Sequence, residues 1–158
     1  MTTNKNTIRK SIVALSGGFD PPNPGHVALI QDARVLGDVV IILNSNKWCD
    51  KARWSGKHFL DYDQRRKILE RIPGVMTVIL AKDDDGTVCE SLRQLKPDFF
   101  GNGGKRNVEN TPEVQVCRDL HIGMLWVLGQ SEQAEHEEML RTAIIEAARL
   151  PQQGEENG

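Results

Sequence analysis

The chain has 158 residues, 39% hydrophobic and 27% charged, with a net charge of −2. That length suits one domain with a core of its own, and the composition is ordinary for a globular protein. No apolar stretch reaches the roughly 20 residues of a membrane-spanning helix, which excludes that class, while the small net charge decides nothing about nucleic acid.

Residues 1–10 are polar and lack the apolar segment of a secretory signal, so they read as a flexible arm ahead of a single domain over 11–150. Ile12 to Leu15 is apolar without alternation, as in a strand buried on both faces. It runs into Gly17-Gly18-Phe19-Asp20-Pro21-Pro22-Asn23-Pro24-Gly25-His26. A helical pattern follows from Val27 to Leu36, with Val27, Leu29, Ile30, Ala33 and Leu36 on its stripe and Gly37 placed to end it. This order of strand, glycine-rich turn and helix presents unpaired N–H groups and the positive end of a dipole to a phosphate. His26 stands in the first turn of that helix. Val39 to Leu43 is a β-branched strand with Asn44 at its carboxyl end. Strand, helix, strand at this spacing predicts a parallel crossover, and ligands of such sheets bind beyond the carboxyl ends of the strands.

Residues 47–60 show no period and carry Lys51, Arg53 and Lys57 with Trp48 and Trp54, which reads as a long basic loop placed as a lid. Asp61 and Gln64 form a capping-box pattern for the next helix. Ile68, Leu69 and Ile72 are its expected buried stripe, Pro73-Gly74 its stop, and Arg65 its cation best placed for a ligand. Val75 to Ala81 is a third strand. The three adjacent aspartates of Lys82 to Gly86 lack calcium-loop spacing and fit Asp-Gly turn chemistry better than a metal site. Thr87 is the expected cap of a helix ending at Lys96-Pro97. A fourth strand enters at Asp98 and runs into a second glycine turn, Gly101 to Arg106. Thr111-Pro112-Glu113 opens a helix that His121-Ile122-Gly123 closes. Met124 to Leu128 is a fifth strand. Leu140, Ala143, Ile144 and Ala147 stripe a last helix, expected to pack through Leu140 and Ile144 with Glu132 and Glu135 near the site, and residues 151–158 read as a disordered tail.

The strict alternation of strands and helices without hairpin signals predicts an α/β fold, a doubly wound, Rossmann-like, five-stranded parallel sheet with helices on both faces. Cys49, Cys89 and Cys117, an odd and scattered set, fit reduced thiols in a cytoplasmic protein, with Cys89 and Cys117 facing the core. Charge is uneven along the chain. Residues 47–71 hold eight Lys/Arg against four Asp/Glu, and residues 131–158 hold seven Glu against two Arg. A basic middle is suited to holding an anion.

No Gly-Lys-Ser/Thr closes a glycine loop, and no G-x-G-x-x-G follows the first strand, so neither a Walker loop nor a dinucleotide fingerprint is present. The turn Gly17-x-Phe19-Asp20-x-x-Asn23-x-Gly25-His26 instead resembles the G-x-F-D-x-x-H-x-G-H signature of the cytidylyltransferase-like nucleotidyltransferases, with Asn23 in place of the first His. Lys96-Pro97-Asp98, Asn102-Gly103-Gly104 and Asn110-Thr111-Pro112-Glu113 resemble a subgroup of that family. The resemblance implies transfer of CMP or AMP from CTP or ATP to a small phosphorylated acceptor, a sugar or polyol phosphate, with Mg²⁺ and release of pyrophosphate. It implies catalytic positions at His26, Asn23 and Lys57. Nucleotide contacts would come from Gly18, Phe19, Asp20, Gly25, His26, Asn102, Gly103 and Ser131. Asn44, Lys51, Arg65 and Arg106 would contact acceptor or phosphate.

Such transfer needs alignment and charge stabilisation rather than a base, because the attacking phosphate is already an anion. The alternative reading is a catalytically weakened nucleotide-binding or partner module, since Asn23 cannot become cationic and two glutamates, Glu132 and Glu135, follow Ser131 in the first turn of the last helix. Nucleic acid is disfavoured as a partner by the size of the Trp48 and Trp54 patch, no membrane is expected, and a homodimer is allowed.

Overall fold

A computed structural model describes residues 10–104 and 106–129. Residues 1–9 of the expected arm, Lys105, Ser131, the last helix and the tail expected from the sequence lie outside these residues. The elements run β1 (Ile12–Gly17), α1 (Pro24–Ala33), β2 (Asp38–Leu43), α2 (Asn46–Ala52), α3 (Tyr62–Glu70), β3 (Val75–Leu80), α4 (Cys89–Leu95), β4 (Phe99–Gly103), α5 (Val114–Leu120) and β5 (Gly123–Leu128). The five strands form one parallel sheet in the order β3-β2-β1-β4-β5. This is the doubly wound α/β fold that the alternation predicted.

The winding direction reverses between β1 and β4, so the carboxyl ends of these two strands frame the crevice where open α/β sheets hold ligands. Side-chain alternation divides the core in two. Val13, Leu15, Val39, Ile41 and Leu43 face Ile30 and Ala33 of α1 and Leu69 of α3. Ala14, Ile42 and Phe100 face Leu92 of α4 with Val116 and Cys117 of α5. β2 is buried over all five residues from Val39 to Leu43, as its unbroken β-branched run requires. Asp98 stitches the strand starts together by accepting from the Ile12 N–H at 2.8 Å.

Several local expectations change. Residues 46–52 form a helix, not a loop: the Ser45 hydroxyl accepts the Trp48 N–H at 3.1 Å, and only Cys49 is buried, too few apolar positions to mark a period. The inner face of α3 is Arg65, Leu69 and Ile72, spaced i, i+4, i+7, so Ile68 is turned out and 44% exposed. Val27, in the first turn of α1, is also exposed. Gly37 does not cap α1, which ends at Ala33. It lets the chain pass against β1, where a Cβ would run into the Ser11 carbonyl. Thr87 accepts the Cys89 N–H at 3.2 Å, but the next two N–H groups of α4, of Glu90 and Ser91, go to the Asp83 carboxylate at 2.6 and 3.1 Å. The capping is therefore shared with the preceding turn. α5 begins at Val114, after a turn through Pro112 and Glu113.

Gly37→Ala is expected to lower unfolding free energy by about 1–3 kcal/mol in urea titration, because backbone must move to admit the methyl group. Gly103→Ala, whose added carbon meets nothing within 4 Å, should stay within about 0.5 kcal/mol of the parent.

Candidate active site

The turn after β1 enters α1 through an unusual capping box. Asn23 Oδ1 accepts the His26 N–H at 3.0 Å, and the Asn23 N–H donates to His26 Nδ1 at 3.1 Å. Pro24 follows at the first helical position, where no N–H is needed. An imidazole nitrogen that accepts a hydrogen bond carries no proton, so His26 is the tautomer with its hydrogen on Nε2. Burial lowers its pKa below the ordinary 6.5, and the Asn23 N–H opposes protonation at Nδ1 as well. His26 is thus a neutral donor at neutral pH. Phe19, in the left-handed region at φ 45°, places its ring 4.6 Å from the imidazole.

Asp20 faces inward. Its carboxylate accepts the Phe59 and Leu60 N–H groups, both at 2.7 Å, and lies 3.8 Å from the Arg53 guanidinium. It therefore ties residues 57–60, a strap between α2 and α3, to the turn. Gly18 is needed for the approach of α2, because a Cβ there would lie 2.9 Å from the Trp48 ring and 3.1 Å from Cys49 Sγ.

Arg65, expected to touch ligand phosphate, has no exposed surface. Its Nε donates to the Leu60 carbonyl at 2.9 Å. One terminal nitrogen donates to the Gly18 and Asn44 carbonyls at 2.8 and 2.9 Å, the other to Asn46 Oδ1 at 2.8 Å. Leu60, Gly18 and Asn44 are brought together by one side chain, which stands below the turn as a strut instead of in the crevice. Asn102 is similar. Its amide donates to the Leu125 carbonyl at 3.1 Å across β4 and β5, so it offers backbone rather than a reading side chain. Gly103 has open space beside it. Arg106 is half exposed, donating to the Asn110 carbonyl at 3.5 Å and lying 4.0 Å from the Glu113 carboxylate.

Two adjoining clefts share Trp48 and Ala52 as their common wall. One, of about 260 Å³, holds Gly18, Phe19, Asn23 and His26. The other, of about 470 Å³, runs from Ser45, Lys47 and Lys51 of the α2 side to Asp83, Asp84 and Asp85. Lys51 thus lines the larger cleft, while Lys57 lies exposed on the strap. Gly25 abuts the cap, 3.2 Å from Asn23 Oδ1 for an added Cβ. Among the described residues, no group of three or more His, Cys, Asp or Glu is placed to hold a metal. Asp83 caps α4, and Asp85 accepts from Thr87. Burial makes Cys49 and Cys117 poor nucleophiles, raising the first thiol and pushing the second up to about 12.

Sequence reading missed Trp48, Asp50, Arg53 and His58 as organisers of the site. Trp48 and Arg53 act on a turn distant in the chain, while the His58 contacts to Asp50 and Asp61 span only eight and three positions but belong to no recurring motif. Arg65→Met is expected to destabilise the fold by about 3 kcal/mol or more, since three carbonyls lose their donor inside the protein. Arg65→Lys should recover only a minor part of that loss in urea unfolding, because one ammonium cannot span four acceptors.

A model of the family described as "Cytidylyltransferase-like" matches residues 14–131. The bifunctional protein HldE of Pelobacter propionicus is 32% identical over 112 residues, 70% of this chain and 22% of that protein. HldE of Pseudomonas paraeruginosa is 29% identical over 141 residues, 89% of this chain and 28% of that protein. The FAD synthase of Ferroglobus placidus is 29% identical over 94 residues, 60% of this chain and 59% of that protein. The chain therefore spans only about a quarter of the HldE proteins it matches. The crystal structure of a lipopolysaccharide core biosynthesis protein from Thermoplasma volcanium superposes with a TM-score of 0.61 at 18% identity, over 78% of this chain and all of that one, which establishes the shared fold. With the family match running from β1 through the signature turn to the end of β5, the chain belongs to the cytidylyltransferase-like family of nucleotidyltransferases.

Proposed function

We propose that the protein transfers CMP or AMP from CTP or ATP to a small phosphorylated acceptor of the sugar or polyol phosphate class. An acceptor phosphate oxygen attacks the α-phosphorus, the bond from that phosphorus to the bridging oxygen breaks, and pyrophosphate leaves with the electron pair. The observation that carries this reading is the neutral His26, whose Nε2–H has no hydrogen-bond partner among the described residues and is available to donate at the N-terminus of α1. That donor and the helix N–H groups are fixed before the substrate arrives, so charge growing on the phosphates meets donors that need no rearrangement. Arg65 adds a permanent positive charge one hydrogen bond beneath Gly18 without touching ligand. Lys47 and Lys51 would meet anionic oxygens in the larger cleft.

Mg²⁺ would neutralise part of the triphosphate charge. The described side chains form no cage for it, so the ion would arrive on the nucleotide. Reduced thiols favour a cytoplasmic setting.

Pyrophosphate release is measured with each nucleotide against a panel of phosphorylated acceptors. His26→Ala is expected to lower kcat about 10²–10³-fold, as for loss of one aligned donor. Turnover unchanged in that variant sinks the mechanism, and nucleotide binding without turnover on any acceptor favours the weakened-module reading. Asn23→Asp supplies a sharper test. Aspartate caps a helix as well as asparagine, so stability should hold within about 0.5 kcal/mol. The new charge at the phosphate site should weaken nucleotide binding by about tenfold or more in calorimetry.

A further inference from the structure

His58 lies on the strap with a carboxylate at each ring nitrogen. Its Nδ1 is 2.8 Å from Asp50 Oδ1 on α2, and its Nε2 is 2.9 Å from Asp61 Oδ1 at the cap of α3. The His58 backbone N–H donates to the same Asp50 oxygen at 2.5 Å. A neutral imidazole has one N–H and one lone pair, so it would set that lone pair against a carboxylate oxygen at less than 3 Å. Only the imidazolium satisfies both contacts. The next two residues, Phe59 and Leu60, are those whose N–H groups Asp20 holds, and the preceding residue is Lys57.

We propose that His58, as an imidazolium bridging Asp50 and Asp61, is the positioning residue that clasps the strap over the signature turn, and that loss of its proton releases the clasp. The inference rests on the nucleotide site proposed above for its functional consequence, but the clasp itself is read without nucleotide.

The two carboxylates that touch His58 agree in sign. Asp50 on α2 and Asp61 on α3 favour the cation. Lys57, its neighbour on the strap, also faces Asp50 and acts on that carboxylate. On the signature turn, Asp20 is already engaged by two amides and Arg53. From α3, Arg65 reaches the strap only through the Leu60 carbonyl. The hydrogen bond to Asp50, then that to Asp61, raise the His58 pKa above the ordinary 6.5, against a smaller opposing effect of desolvation. The same contact lowers that of Asp50. A raised folded-state value means that the clasp is fully fastened below the ordinary histidine range. It is lost as pH rises through the higher value of the folded protein. Release is therefore an alkaline event. His26 does not cause it, because its pKa is lowered and it is neutral over that alkaline range.

Two readouts test this on the full chain. In NMR titration without nucleotide, the His58 ring is expected to titrate above 6.5, and the Phe59 and Leu60 amide shifts should move with the same midpoint. In Asp50→Asn that midpoint should fall, and in His58→Gln the amide movement should vanish. A His58 midpoint at or below 6.5, or amides that do not follow it, overturns the proposal. Calorimetry with CTP and ATP then reads the consequence. Affinity should drop several-fold between the fastened and released pH ranges in the parent and stay level in His58→Gln. A drop of equal size in both proteins also overturns the positioning role. If neither nucleotide binds at any pH while the NMR midpoints coincide, the clasp stands and the proposed nucleotide function fails.

Discussion

The site depends on one buried guanidinium. Three carbonyls, from the turn after β1, the end of β2 and the strap, would repel one another and lie unpaired if brought together without a donor. Arg65 supplies that donor in a single rigid fork and adds Asn46 at the start of α2. A lysine has too few directed donors, and a neutral side chain would leave the carbonyl dipoles uncompensated. The placement also explains why a charged side chain takes an inward position on α3, in line with Leu69 and Ile72. Its aliphatic stem runs along the apolar face while the head meets oxygen. The Tyr62 ring, with its centroid 5.8 Å from the guanidinium carbon, adds a further contact.

Around this strut the turn is held from two more directions. Asp20 pulls the strap in through two amides, and Gly18 lets α2 approach until Trp48 and Cys49 touch the turn. The turn is then fixed by contacts to α2, the strap and α3 together. That rigidity is what electrostatic catalysis requires, since donors held in place cost no reorganisation as charge moves. Trp48 stands between the two clefts as a shared wall.

Much of the fold was legible because its signals are local. The order of elements follows from β-branched runs and glycine turns. The cap of α3 follows from Asp61 and Gln64 three residues apart, and the structure forms it. What escaped was long-range. The Arg65 bonds span 47 and 21 positions, and those from Asp20 span 39 and 40. A charged residue that looks ready for a ligand is, in sequence, indistinguishable from one that is buried to hold backbone. α2 escaped for a different reason: a seven-residue helix with one buried side chain has no period to detect. The basic character of residues 47–60 was correctly legible, but its division was not. Lys47 and Lys51 line a cleft, Arg53 pairs with Asp20, and Lys57 stays on the strap.

Asn23 shows how one position can serve structure while altering chemistry. Its oxygen closes the cap on His26, and its own N–H holds Nδ1, so the imidazole is oriented and its tautomer selected by a single neighbour. A histidine at this position would be a weaker helix cap, so asparagine firms the helix start. The exchange removes a group able to carry positive charge next to the proposed phosphate site. The proposed nucleotide site, with one fewer titratable cation, would rely more on fixed charges and dipoles. Here those are the buried Arg65, the α1 terminus and the lysines of α2. Such a site keeps its electrostatic character across neutral pH, because the helix dipole is fixed and His26 stays neutral there. Among the described residues, the histidine whose charge is tied to the site's architecture is then His58. Protonation would act on the reaction through the position of the strap, and not through the donors at the phosphorus.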